Sequence, residues 1–107
     1  MVVHIVMFKF KEENKQANIQ KAKEMLQNLI DTVPTLKSIE VGINFANEDR
    51  AMDLSIITHF DTKEDLDAYA IHPTHQDVIA FIKTVVEYTK VVDYTIWKHI
   101  KSRHLKI

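Results

Sequence analysis

From Val2 to Phe10 nearly every residue is apolar or β-branched, and the run ends among Lys9, Lys11, Glu12 and Glu13. That pattern predicts a first strand closed by a polar turn. Alternation puts His4, Val6, Phe8 and Phe10 on one face and Val3, Ile5 and Met7 on the other. A strand apolar on both faces is expected to be covered on both. Ile19, Ala22, Met25, Leu26, Leu29, Ile30 and Val33 then recur at three- and four-residue steps, with Lys21, Lys23, Gln27 and Asn28 between them. This predicts one amphipathic helix stopped near Pro34.

A second strand is predicted from about Leu36 to Phe45, where Ile39, Val41, Ile43 and Phe45 alternate with Ser38, Glu40, Gly42 and Asn44. The five polar-loop residues Ala46 to Arg50 join it as a hairpin to a third strand, Met52 to Phe60, with Met52, Leu54, Ile56 and Phe60 on one face. Thr62 with Asp65 three residues on is a helix-capping signal, opening a short helix through Leu66, Tyr69 and Ala70. His72-Pro73 breaks it. Thr74 and Asp77 repeat the capping pattern, and Val78, Ile79, Ile82, Val85 and Val86 form the stripe of a last helix before a closing strand from about Lys90 to Trp97.

The order β, α, β, β, α in two pieces, β predicts an α+β domain of the ferredoxin-like split βαβ type, residues 1–107 forming one unit around a four-stranded antiparallel sheet. Its helices cover a single face. The other face still carries Val3, Ile5, Met7 and Ile57, and a large apolar sheet face calls for a partner surface. A second copy related by a two-fold axis is the simplest one. The expectation is a homodimer whose sheets pack face to face as a barrel.

Composition narrows the chemistry. The chain has 107 residues, 46% of them hydrophobic, with 14 basic against 15 acidic side chains. That balance argues against a phosphate-neutralising domain, so no nucleic-acid partner is expected. No apolar run reaches the roughly 20 residues of a membrane span, and the N-terminus lacks a basic n-region and a small-residue cleavage site. A cytoplasmic protein with no membrane partner is expected. Cysteine is absent and Gly42 is the only glycine, which excludes thiol chemistry and Gly-rich phosphate loops. The expected chemistry is side-chain acid and base work with no cofactor.

Three segments carry a family resemblance: His4-Ile5-Val6-Met7-Phe8-Lys9-Phe10-Lys11, then Asp67-Ala68-Tyr69-Ala70-Ile71-His72-Pro73-Thr74-His75, and Val92-Asp93-Tyr94. Together they resemble the stress-responsive A/B barrel (Dabb) family across essentially the whole chain, most specifically in the Tyr-x-x-His-Pro-x-His run. The resemblance implies a dimeric α+β barrel. It does not imply one activity, because a plant member of the family closes a linear polyketide by aldol chemistry using a Tyr and a His, while others are associated with stress tolerance without clear catalysis. By position in the motif, those two roles fall on Tyr69 and His75.

The residues themselves support two readings of that pair. His75 lies in the first turn of the last helix, where unpaired N–H groups and the positive dipole end disfavour an imidazolium and leave the neutral ring that a general base needs. Tyr69, six residues earlier, is placed to hold a carbonyl or enolate oxygen. Base plus oxyanion donor suits proton abstraction α to a carbonyl. In the structural reading, His75 donates to a backbone carbonyl to hold the helix break, and Tyr69 is a core residue with its hydroxyl at the rim.

Other side chains take lesser roles. His72, before proline, is a turn residue; His72 and His75 span a helix entry rather than one helical face, so no metal site is expected. His59 is placed to face the same cavity as His4. His4, Phe8 and Trp97 are the candidates for the walls of a ligand pocket, Trp97 being equally suited to packing or a dimer contact. The tail after Trp97 carries four fixed positive charges, Lys98, Lys101, Arg103 and Lys106, and no acid, as expected of a solvated terminus.

The functional expectation is a small homodimeric barrel that binds an apolar or aromatic small molecule, with cyclase-like acid/base chemistry by His75 and Tyr69. A non-catalytic stress-response protein is the first alternative. A cofactor-independent monooxygenase or haem-degrading enzyme of the related dimeric-barrel type is the second. A cavity lined by both Tyr69 and His75 favours the first reading, whereas Phe8, Phe81 and Trp97 filling that space would remove it.

Overall fold

The computed structural model describes residues 1–97, so the basic tail lies outside the described residues. Eight elements follow one another: β1 (Val2–Phe10), α1 (Lys15–Gln27), α2 (Leu29–Thr32), β2 (Ser38–Ile43), β3 (Leu54–Phe60), α3 (Lys63–Ile71), α4 (Pro73–Val85) and β4 (Val86–Thr95). The strands form one antiparallel sheet in the order β2-β3-β1-β4. Each helical connection thus passes over one strand, the ferredoxin-like α+β arrangement expected from the element order.

The pleat assigns the faces. Phe8 and Phe10 of β1 and Leu54, Ile56 and Phe60 of β3 are buried against Ile19, Ala22 and Leu26 of α1 and Val78, Ile82 and Val85 of α4. Burying a side chain of this kind is worth about 1.5–3 kcal/mol, so this row holds the helical layer on the sheet. On the opposite face Ile5 pairs with Ile57 on one side and Val92 on the other, an apolar row that no helix among the described residues covers.

Several boundaries differ from the sequence expectation, each for a local reason. The first helix is not continuous to Val33: after Asn28 the chain tightens, with Asp31 N–H donating to the Asn28 carbonyl (3.1 Å), and α2 turns Leu29 and Val33 inward and Ile30 out. The β2–β3 loop runs over residues 44–53 rather than five residues. Asp53 takes Met52 out of the strand: its N–H donates to the Phe8 carbonyl (2.8 Å) and its carboxylate accepts from the Phe10 N–H (2.7 Å). Phe45, beyond the end of β2, is fully exposed at 100%.

Thr62 caps α3 as expected, accepting from the Asp65 N–H at 3.1 Å. The cap of α4, however, is His72 and not Thr74. Its Nδ1 accepts from the Thr74 N–H (3.2 Å), while Pro73 occupies the first turn, where its missing N–H costs nothing. The last helix ends at Val85 and β4 begins at the next residue with no connecting loop. The Val85 carbonyl accepts from the Lys11 N–H (2.9 Å), which fastens this junction to the end of β1 and draws Val86 into the sheet. No helix among the described residues is long and apolar enough to cross a membrane.

Candidate functional site

Between the helical layer and the sheet lies a cavity of about 410 Å³. β1 supplies His4, Val6 and Phe8; β3 supplies Ile56; α1 supplies Leu26; and the first residues of β4, Val86 to Thr89, form the outer wall. α3 contributes Tyr69, and α4 contributes His75, Ile79, Ile82 and Lys83. Apolar side chains from β1, β3, α1 and α4 line it together with two polar groups, His4, Tyr69 and His75 in one and Lys83, Glu87, Tyr88 and Thr89 in the other, and such a mixture is the usual construction of a small-molecule site.

Local structure explains the first of these groups. Tyr69 sits on the last turn of α3 and His75 on the first turn of α4, so the break at His72-Pro73 brings the two rings to 4.3 Å between centroids. Tyr69 also packs on Phe60 (5.1 Å) and meets the edge of His4 (6.3 Å). Three rings that can donate or accept a proton thus lie side by side.

Each ring is held in a defined state. His75 Nδ1 donates to the Ala70 carbonyl at 3.0 Å, because a carbonyl can only accept; the neutral ring therefore presents Nε2 as an acceptor. Burial lowers the His75 pKa from its ordinary 6.5, an effect opposed by the bond to Ala70 and reinforced by the nearby His4 and His72. The bond that holds the helix break therefore also fixes the tautomer of the ring. Tyr69 is 1% exposed, and its hydroxyl has no hydrogen-bond partner among the described residues. Burial pushes its pKa up to about 12, so it stays a protonated donor at neutral pH.

His4 is placed on the cavity wall as expected and has a partner that sequence reasoning did not assign. Its Nδ1 is hydrogen-bonded to the Asp93 carboxylate, which directly faces it on the neighbouring strand. An ionised carboxylate only accepts, so Nδ1 carries a proton, and in the neutral ring Nε2 is then the acceptor. The one available signal was an acid interrupting Val91-Val92-Asp93-Tyr94, but the register that sets it opposite His4 is not written in either segment.

The remaining candidates separate. Phe8 lines the cavity. Trp97 does not: it is 78% exposed and stands outside the cavity lining. His59 is on the other face of the sheet from His4, because Thr58 is the residue paired with His4 and His59 pairs with Val3; its Nδ1 meets the Ser38 hydroxyl at 2.9 Å. Phe81 lies half-buried under the Lys21 ammonium, 4.4 Å from its ring centroid, and is not part of the lining. Among the described residues no three His, Asp or Glu side chains come together as a metal site.

The chain is similar to known proteins. The chain is 31% identical over 98 residues to a stress-response A/B barrel domain-containing protein of Arabidopsis thaliana, covering 87% of this chain and 84% of that one. Olivetolic acid cyclase of Cannabis sativa is 25% identical over 96 residues, covering 88% and 95%. Among solved structures, a dimeric protein of unknown function with a ferredoxin-like fold from Bacteroides fragilis superposes with a TM-score of 0.80 at 29% identity, over 89% of this chain and 95% of that one. The family model described as the stress responsive A/B barrel domain matches residues 2–96, and the chain belongs to that family.

Proposed function

We propose that this protein works as a homodimer that binds an apolar or aromatic carbonyl compound in the cavity between helices and sheet and moves a proton at the carbon next to its carbonyl. The observation that carries this reading is Tyr69, a residue of the cavity lining whose ring lies beside the His75 imidazole and whose hydroxyl is buried with no partner among the described residues. A buried hydroxyl left unpaired costs free energy, and a ligand oxygen accepting from it recovers that cost. His75 Nε2 takes the proton, and Tyr69 stabilises the enolate oxygen that forms. The proton taken by His75 Nε2 is returned from the same nitrogen, and His4, oriented by Asp93 beside Tyr69, is suited to holding a ligand hydroxyl. Resemblance to olivetolic acid cyclase supports a reaction of this class. The dimer is supported by the uncovered row of Ile57, Ile5 and Val92 and by the dimeric Bacteroides fragilis relative.

The test is a thermal-shift screen of aromatic and long-chain ketones, β-diketones and phenols, followed by NMR measurement of deuterium uptake at the α-carbon of each compound that binds. Uptake is expected with the intact protein and lost in His75→Ala, with the dimer preserved by light scattering. Exchange unchanged in His75→Ala removes His75 from the mechanism. Binding with no exchange in the intact protein supports the non-catalytic reading instead, and a species of one chain at micromolar concentration overturns the dimer.

A further inference from the structure

β4 is an edge strand held by a single ladder, to β1, and from Glu87 to Thr95 every residue is exposed. Its alternation gives it two different neighbours. Asp93 lies on the cavity side, where it orients His4, and its own side chain is 48% exposed. Val92 and Tyr94, immediately before and after it, lie on the opposite face, 51% and 44% exposed, in register with Ile5 and Val3 of β1. One copy therefore leaves the strand segment that places Asp93 packed on neither side.

The uncovered face is large enough to be an interface. Four strands about 4.8 Å apart and about 20 to 34 Å long present on the order of 500 Å² in projection, the same order as the roughly 800 Å² per partner of a stable complex. The dimeric Bacteroides fragilis relative spans 89% of this chain at 29% identity, which makes a second copy the occupant.

Resting on the homodimer and the His4 site proposed above, we infer that a second copy seated on Val92 and Tyr94 clamps β4 and thereby holds Asp93 on His4, so that assembly and competence of the cavity are coupled. Asp93 is then a positioning residue governed from the far side of its own strand. Packing against Val92 and Tyr94 removes the freedom of the backbone between them, and the carboxylate stays where it keeps the His4 proton on Nδ1.

The test reads the His4 ring directly and needs no ligand. Long-range ¹H–¹⁵N NMR reports which ring nitrogen carries the proton, and light scattering on the same samples reports assembly. The intact protein is expected to be dimeric with His4 in the Nδ1–H form. Val92→Glu, which puts a charge into the apolar row, is expected to be monomeric, with the His4 tautomer ratio shifted on the order of tenfold toward a mixture. Tyr94→Ser tests the same face without an added charge if Val92→Glu fails to fold. Asp93→Asn is expected to release the tautomer while leaving the dimer intact. A folded monomer whose His4 stays wholly Nδ1–H overturns the coupling and leaves the homodimer standing. An intact protein that is already monomeric overturns the homodimer and the coupling with it. A tautomer unmoved in Asp93→Asn removes Asp93 as the positioning group.

Discussion

Tyr69→Phe separates stability from function. The ring packs on Phe60 at 5.1 Å and His75 at 4.3 Å between centroids, contacts that phenylalanine keeps. Only the hydroxyl is lost, and it is buried with no partner among the described residues. An unsatisfied buried polar group costs about 1–3 kcal/mol, whereas removal of a satisfied one costs about 1 kcal/mol. The variant is therefore expected to be more stable than the parent by about 1 kcal/mol, raising Tm by about 4–8 °C for a domain of this size at fixed protein concentration. Binding of a carbonyl ligand should weaken by roughly 2–10-fold, the worth of one neutral hydrogen bond. Proton exchange should fall by about 100-fold or more if Tyr69 supports a developing oxyanion. Calorimetry on the ligand-free protein together with the exchange assay measures both signs. A loss of 1 kcal/mol or more of stability in Tyr69→Phe would show that the folded protein already satisfies the hydroxyl, and the reasoning that makes it a ligand donor would fail.

Three further outcomes can be measured. Because the His75 pKa is lowered in the folded protein, the unfolded chain binds more protons as pH falls through 6.5, and stability declines from there toward the folded-state value; His75→Asn should flatten that part of a urea-melt series between about pH 7 and 5. His72 caps α4 through its Nδ1, so His72→Ala should cost about 0.5–2 kcal/mol, with His72→Asn recovering most of it, by chemical denaturation. Asp53 accepts from the Phe10 N–H and meets the Lys15 ammonium at 3.4 Å; Asp53→Ala should cost about 1–3 kcal/mol and speed amide exchange at Phe10 first.

Much of the fold was legible because its burial follows simple periods. The β1 residues His4, Val6, Phe8 and Phe10 share the helix-facing side as their alternation implies, and Tyr69 and His75 meet because a proline stands between their helices. What escaped was set by pairing between distant segments. Asp93 faces His4 across 89 residues of sequence, and nothing in either strand states that register. His59 required the same knowledge, since alternation tells which β3 residues share a face but not which of those faces His4 occupies. The α4–β4 boundary was hidden because Val85 and Val86 fit a helix stripe and a strand equally, and it is set by long-range pairing, the Lys11 N–H on the Val85 carbonyl and Val86 opposite Phe10. Aromatic character suggested a pocket wall at Trp97, but the side chain's exposure depends on what lies beside the end of β4.

The direct passage from Val85 into Val86 limits how the chamber of this fold can be reshaped. The helix that carries His75, Ile79 and Ile82 and the strand that supplies Val86 to Thr89 are one unbroken piece of secondary structure on two sides of the chamber. There is no spacer at that corner into which extra residues could be inserted without pulling the helix end off Lys11 or slipping the β4 register. Under the proposed function, preferences at this corner are then set by the bulk of Ile79, Ile82 and Val86 rather than by loop length.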